Sequence, residues 1–281
     1  MDAGALRGRF LAVALARPEP FPEAQTSQFL ARLRDASDGE GFSLLRLPRL
    51  PAVVPQLLQA LREDKAGMAA VAELAARDPL IAGGIVRVAN SAWYGGEPLT
   101  SLSQAVVRLG RDAVREVVLR TALRPIHPAA PGTPVHAAGE RLWTHAQCCG
   151  IACASMGHGF DGMLAGLAGA TGASAALALL AQSEPELLHA DAVHAAFARA
   201  MWRIAARAAQ AWDLPGAVVA ALHDHAGAEA RGGLGRGLAQ AERLSMQYLL
   251  RRWEDPALVP SLQGGAEAVA WAALERHHPD D

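Results

Sequence analysis

The sequence is poor in aromatic residues, although more than half of it is hydrophobic. Aromatic residues make up 5% of the 281 residues and hydrophobic residues make up 51%, so the apolar content is mainly alanine, leucine and valine. Alanine and leucine are strong helix formers, whereas aromatic residues are typical of strands. The composition therefore predicts an all-α protein that is long enough to bury a substantial core.

Cysteine and long uncharged apolar runs are also scarce. Three cysteines, at positions 148, 149 and 153, cannot form a disulfide framework, which favours a reducing, cytoplasmic location. The apolar run from Phe10 to Ala16 precedes Arg17 rather than a small-residue cleavage site, so no secretory signal is predicted. The longest apolar candidate, Met163 to Ala181, contains three glycines and two hydroxyl residues and is typical of a buried helix.

Neither sign of charge is in excess. The chain carries 26 basic and 28 acidic residues, interspersed, for a net charge of −2. Such a balance gives no electrostatic footprint for nucleic acid or an anionic membrane. We therefore expect neither as a partner, although a local basic patch remains compatible with this composition.

Capping and periodicity signals divide the chain into helices. Residues 1–40 are predicted to be an N-terminal helical extension. Asp78 before Pro79 is typical of a helix start, and Ser101 with Gln104 has the spacing of a capping box. Gly110 is expected to end that helix, which predicts five short helices in residues 41–124. A linker rich in proline is expected at 124–139, a second lobe at 140–250, and a helical extension and tail at 251–281.

Several of these segments together resemble one family. Residues 45–52 (LRLPRLPA), 78–80 (DPL), 87–94 (RVANSAWY) and 101–110 (SLSQAVVRLG) resemble the HDOD domain (HD-related output domain) in order and spacing. Residues 142–145 (LWTH), 166–167 (GL) and 241–244 (AERL) match its second half more weakly. The resemblance spans roughly residues 41–250. It implies an N-terminal five-helix bundle packed on a C-terminal HD-like helical lobe.

The resemblance also implies that a metal site has been lost. HD phosphohydrolases, to which HDOD domains are related, bind divalent metals through histidines and aspartates and activate water against a phosphate ester. Their adjacent His-Asp pair corresponds here to Gly169-Ala170, whose side chains cannot bind a metal. His145 occupies the place of the first histidine, His225 matches a downstream one, and Glu242 stands where a final aspartate is expected. We therefore expect no catalytic residues and no cofactor.

Two weaker metal hypotheses stay open at this point. His145, Cys149 and Cys153 lie at i, i+4 and i+8, so they share a helical face that could suit zinc. The alternative is that the cysteines are small core residues and that His145 is a hydrogen-bonded remnant. His225, in the sequence His223-Asp224-His225, is a further candidate, although imidazoles at a helix end are more often solvated.

Candidate contacts with a ligand or partner lie in both halves of the domain. In the first half, one cluster is either a helix terminus with aromatic anchors or a ligand contact. Its residues are Asn90, Ser91, Trp93 and Tyr94. In the second half, we expect a ligand on a concave surface between the two lobes, near Trp143 and His145. His225 and Glu242 are further candidate contacts there.

The resemblance predicts a non-enzymatic, bacterial signal-transduction module that acts as a stand-alone partner of signalling proteins or by binding a small molecule. One alternative is a degenerate HD phosphohydrolase with a metal site rebuilt from His145, His225 and Glu242. The other is a nucleic-acid-binding adaptor, which the balanced charge disfavours.

Overall fold

The computed structural model describes residues 3–15, 23–44, 53–62, 67–91, 94–124, 129–182, 191–227 and 233–276. Within these ranges the regular structure is helical and contains no strand, so the predicted all-α fold is confirmed. The helices are α1 (Ala3–Ala14), α2 (Glu23–Asp38), α3 (Val53–Arg62), α4 (Met68–Ala75), α5 (Pro79–Ala89), α6 (Leu102–Leu123), α7 (Pro134–Cys153), α8 (Gly159–Ala181), α9 (Asp191–Ala211), α10 (Gly216–Ala226), α11 (Gly233–Trp253) and α12 (Gly265–Arg276).

The chain divides into two compact units. Unit 1 comprises residues 1–48 and 125–281, and unit 2 comprises residues 49–124. Unit 1 therefore includes α1 and α2 as well as α7 to α12, and unit 2 includes α3 to α6.

Unit 2 follows the capping signals of its sequence. The Asp78 carboxylate accepts hydrogen bonds from the backbone N–H groups of Leu80 (2.9 Å) and Ile81 (3.1 Å), which confirms the predicted start of α5. The Ser101 hydroxyl likewise accepts from the N–H of Gln104 at the start of α6. These side chains satisfy backbone donors that have no partner inside the helix.

The helix break predicted at Gly110 is confirmed. Gly110 has a φ of +74° and a ψ of 172°, so its backbone is not helical, and two helices meet there at a kink. The label α6 therefore covers two helical segments within Leu102–Leu123, one on each side of Gly110. Glycine fits this position because a side chain would strain a backbone with positive φ.

The centre of unit 1 is α7. Every residue from Leu142 to Cys153 is buried, so this helix has no solvent-facing side over that length. α8 lies against it, and a Cβ added at Gly166 would collide with the backbone of Gly150. The glycines of α8 therefore permit close packing between helices.

The stretch 124–139, expected to be a linker, contains the start of α7. The Thr133 side chain accepts a hydrogen bond from the backbone N–H of His136 at 3.3 Å, and Pro134 occupies the first helical turn. Proline is compatible with that position because the first-turn N–H has no intrahelical partner. Pro134, the last proline of this stretch, thus belongs to a helix start.

One helical stretch has the length and hydropathy of a membrane span. This stretch is Pro134–Ala181. In its most apolar 18-residue window, 78% is buried inside the protein. The core helices of soluble proteins have the same composition, so the stretch is weak evidence for a membrane segment.

Candidate functional site

The predicted site residues fall into both units. Asn90, Ser91 and Tyr94 belong to unit 2, whereas Trp143, His145, His225 and Glu242 belong to unit 1. Trp93 lies outside the described residues. Trp143 and His145 are 7% and 2% exposed, so both are buried within unit 1. The ligand surface expected near them, between the lobes, stays a prediction.

His145 lies in a closed network on α7. Its Nδ1 is 2.8 Å from the Ser245 hydroxyl oxygen, and that hydroxyl donates to the His145 carbonyl oxygen at 3.1 Å. The consistent assignment is that Nδ1–H donates to Ser245, which leaves Nε2 as an acceptor. Burial lowers the pKa of His145 from 6.5 to about 4 and outweighs the Glu242 carboxylate, which acts in the opposite direction. His145 is therefore neutral at neutral pH.

The two cysteines that share a face with His145 do not carry thiolates. Cys149 Sγ is 3.6 Å from His145 Nε2, a contact in which the thiol donates to the ring nitrogen. Burial raises the pKa of Cys149 well above its usual range and raises that of Cys153 to about 12. Both side chains are fully buried and pack as small core residues.

Glu242 is the centre of a second, neighbouring network. Its carboxylate is 3% exposed. One oxygen, Oε2, accepts a hydrogen bond from the Arg7 guanidinium at 2.6 Å, and the other, Oε1, accepts from the Trp202 indole N–H at 2.9 Å. Burial alone would raise the pKa of Glu242, but His225 and Arg7 outweigh it and hold the pKa well below its usual range. Glu242 is therefore an anion whose two oxygens both have a donor.

His225 joins this network, contrary to the solvated helix end expected for it. Its side chain is 5% exposed, and its Nε2 lies 3.3 Å from Glu242 Oε2 without hydrogen-bond geometry. The Trp202 ring packs edge-on against the imidazole, with 4.6 Å between ring centroids. The expectation of solvation was wrong because the last turn of α10 packs against α9 and α11. His223, two residues earlier, is exposed.

The place of the missing His-Asp pair is filled by an aromatic ring. Ala170 is buried, and a Cβ added at Gly169 would lie 2.8 Å from two carbon atoms of the Trp202 ring. No side chain larger than hydrogen fits at 169 while Trp202 keeps this position. The indole thus occupies the space next to Glu242 that a larger residue at 169 would need.

The surviving HD-type residues do not fit a divalent metal. His145, His225 and Glu242 are brought together at α11: Glu242 pairs with His225, and Ser245, one turn later, bonds to His145. However, the Arg7 cation already neutralises Glu242, and both His145 nitrogens have partners. The remaining candidate atom, His225 Nε2, lies 3.3 Å from Glu242 Oε2, and a single imidazole nitrogen is too few for a site. Among the described residues, no group of three or more His, Cys, Asp or Glu side chains is arranged to hold a metal ion.

In unit 2 the Asn90 side chain makes local contacts. Its amide nitrogen donates to the Leu99 carbonyl oxygen and its amide oxygen accepts from the Leu99 N–H, both at 2.8 Å. Arg108 closes the same loop by donating to the carbonyl oxygens of Ala89 and Glu97. These bonds are those of a helix terminus, and whether Ser91 and Tyr94 also contact a ligand stays a prediction.

Sequence reasoning missed four members of the buried cluster. Ser245 lies three residues after Glu242 on α11, a spacing that could have indicated a shared face. Arg7 and Phe10, whose ring is 4.5 Å from that of His145, come from the N-terminal extension, and Trp202 comes from α9. No local pattern connects these three positions to partners that lie 40 or more positions away in the sequence.

A known protein family matches more than half of the chain. The family model of the HDOD domain matches residues 47–227, well over half of the chain. The chain belongs to the HDOD family. Arg7, Phe10 and Glu242 lie outside the part that the family model matches, although they complete the cluster around His145. No curated protein matches the chain.

Solved HDOD-like structures share the fold. An HDOD domain protein of unknown function from Geobacter sulfurreducens is 20% identical, with a TM-score of 0.54 over 89% of this chain and 88% of that one. A protein from Shewanella amazonensis SB2B, proposed by its name to be a metal-dependent phosphohydrolase, is 18% identical, with a TM-score of 0.61 over 91% of this chain and 99% of that one. A protein from Marinobacter aquaeolei VT8, proposed by its name to act in signal transduction, is 21% identical. Its TM-score is 0.57, and the match covers 99% of this chain and 64% of that one.

Proposed function

We propose that this HDOD protein is a non-enzymatic regulatory module of bacterial signal transduction, which acts by binding proteins or a small ligand. The observation that carries the proposal is the Arg7–Glu242–Trp202 contact. A guanidinium and an indole N–H occupy the carboxylate oxygens on which a phosphohydrolase would need a metal. Without a metal, this site has no means of activating water.

The neutral state of His145 adds support. A general base needs a ring nitrogen that is free to take a proton from water near the substrate. Here Nδ1 bonds to Ser245, Nε2 faces the Cys149 thiol, and the residue is 2% exposed. The same contacts give His145 a role in fixing α7 against α11.

The names of the structural neighbours suggest both readings, signal transduction and phosphohydrolysis. We favour the first for this chain because its own residues close the metal position. Its partners would be signalling proteins in the cytoplasm, a location consistent with three buried free thiols. Nucleic acid is a poor candidate since the net charge is −2.

A hydrolysis assay tests the proposal. The full chain, supplied in turn with Mg²⁺, Mn²⁺ and Fe²⁺, is incubated with p-nitrophenyl phosphate and bis(p-nitrophenyl) phosphate. We expect no release of p-nitrophenol above that of a Glu242→Gln variant prepared in parallel. Turnover that is present in the natural chain and lost in the variant would overturn the non-enzymatic assignment.

A further inference from the structure

A cleft on unit 1, away from the buried cluster, has the character of an anion site. It lies between α2 and α9 and has a volume of about 230 Å³. The residues that line it recur at helical spacing on both helices, so one face of each helix forms a wall. They are Leu30, Leu33, Arg34, Ser37 and Asp38 from α2, and Ala196, Arg199, Ala200 and Arg203 from α9.

The floor of this cleft is apolar and its rim is cationic. Leu33 and Ala200 are 1% and 3% exposed and close the bottom, where the small alanine side chain leaves space opposite the leucine. Arg34 and Arg199 are exposed at the rim. The cleft therefore combines buried apolar residues with two exposed arginines, and a pocket of that kind suits an anion that has an apolar part.

Only part of the cationic charge is compensated. The Arg203 guanidinium is 2.5 Å from the Asp38 carboxylate, so this pair is neutral. Arg34 and Arg199 have no ion pair within the part of the chain that the structure describes, which leaves a local charge of about +2 although the whole chain carries −2.

We propose that this cleft binds a small phosphomonoester whose organic part is compact and apolar or aromatic. A phosphate dianion matches two unpaired guanidinium groups in charge, and arginine binds phosphate oxygens with two parallel hydrogen bonds. A cavity of about 150 Å³ can hold benzene, so a single ring fits below the phosphate. The proposal extends the proposed function by assigning a ligand class to a defined surface.

Titration calorimetry of the full chain with phenyl phosphate, at constant ionic strength, tests the proposal. We expect saturable binding that weakens about tenfold in each of the Arg34→Gln and Arg199→Gln variants, as loss of one charge-assisted pair predicts. An Arg87→Gln variant is the matched control, because Arg87 is an exposed arginine on α5 of unit 2. An Ala196→Leu variant, which fills the cleft and keeps every arginine, is also expected to weaken binding.

Three results would overturn the assignment of this ligand and cleft. They are absence of phenyl phosphate binding, equal weakening by Arg87→Gln, and inorganic phosphate binding as tightly as phenyl phosphate. The last result would mean that the apolar floor contributes nothing. This inference rests on the proposed binding function, but its failure can be distinguished from a failure of the proposed function. The hydrolysis assay reports on Glu242, whereas calorimetry reports on Arg34 and Arg199.

Discussion

Acidification below neutral pH is expected to destabilise the protein through His145. Burial holds the folded-state pKa of this residue at about 4, against 6.5 for a solvated histidine. Between these values the unfolded chain binds a proton that the folded chain does not, so the free energy of unfolding falls as the pH falls through this window. The contribution is fully present above about pH 7 and is fully lost below about pH 4.

The magnitude follows from the two pKa values. A difference of about 2.5 pKa units is worth about 3 kcal/mol at most, and about 2 kcal/mol is lost between pH 7 and pH 5. For a domain of ordinary stability this is a large fraction of the total. Glu242 adds a second loss at lower pH, because its pKa is also held below the unfolded value and the carboxylate is protonated on unfolding.

Urea denaturation of the natural chain and of a His145→Gln variant at several pH values measures the contribution of His145 to the free energy of unfolding. Glutamine can still donate to Ser245 but does not titrate, so subtraction of the two curves removes all other groups. We expect the stability advantage of the natural chain to shrink by about 2 kcal/mol from pH 7 to pH 5. A difference that stays constant over this range would refute the neutral, buried state of His145.

Four further substitutions, each measured by urea denaturation at neutral pH, test the packing, a buried hydrogen bond and a helix cap. Gly169→Ala is expected to destabilise by about 1–3 kcal/mol because its Cβ would press on Trp202, whereas Gly8→Ala, an open position in α1, should stabilise by about 0.5–1 kcal/mol. Equal effects at the two glycines would contradict the close approach at 169. Trp202→Phe should cost about 1–3 kcal/mol, because Glu242 loses a buried donor, and a neutral result would argue against that bond. Asp78→Ala should cost about 1 kcal/mol through the lost cap of α5, and no change would show that the cap is dispensable.

Local signals in the sequence were sufficient for much of the fold. The cap at Asp78 and the start of α6 at Ser101 depend on contacts within three residues, which a sequence pattern displays directly. Gly110 belongs with these local signals, because its positive φ interrupts the helical backbone where the sequence predicted a helix end.

The candidate site could be predicted only in part. The order of motifs placed His145, His225 and Glu242 in one cluster, but it could not identify the groups that complete it. Arg7 reaches Glu242 across 235 positions of sequence, and Trp202 reaches it across 40. Such contacts are set by tertiary packing, which leaves no periodic trace in a single sequence.

We propose that this protein's own side chains replace the metal of an HD-type site. Plasma mass spectrometry tests this replacement by measuring the metal content of the untagged full chain. The chain is first incubated with Mn²⁺, Fe²⁺ and Zn²⁺, and excess ions are then removed. The Arg7–Glu242 contact predicts no stoichiometric metal in the natural chain. Stoichiometric metal that is lost in both Glu242→Gln and His145→Gln variants would contradict the account.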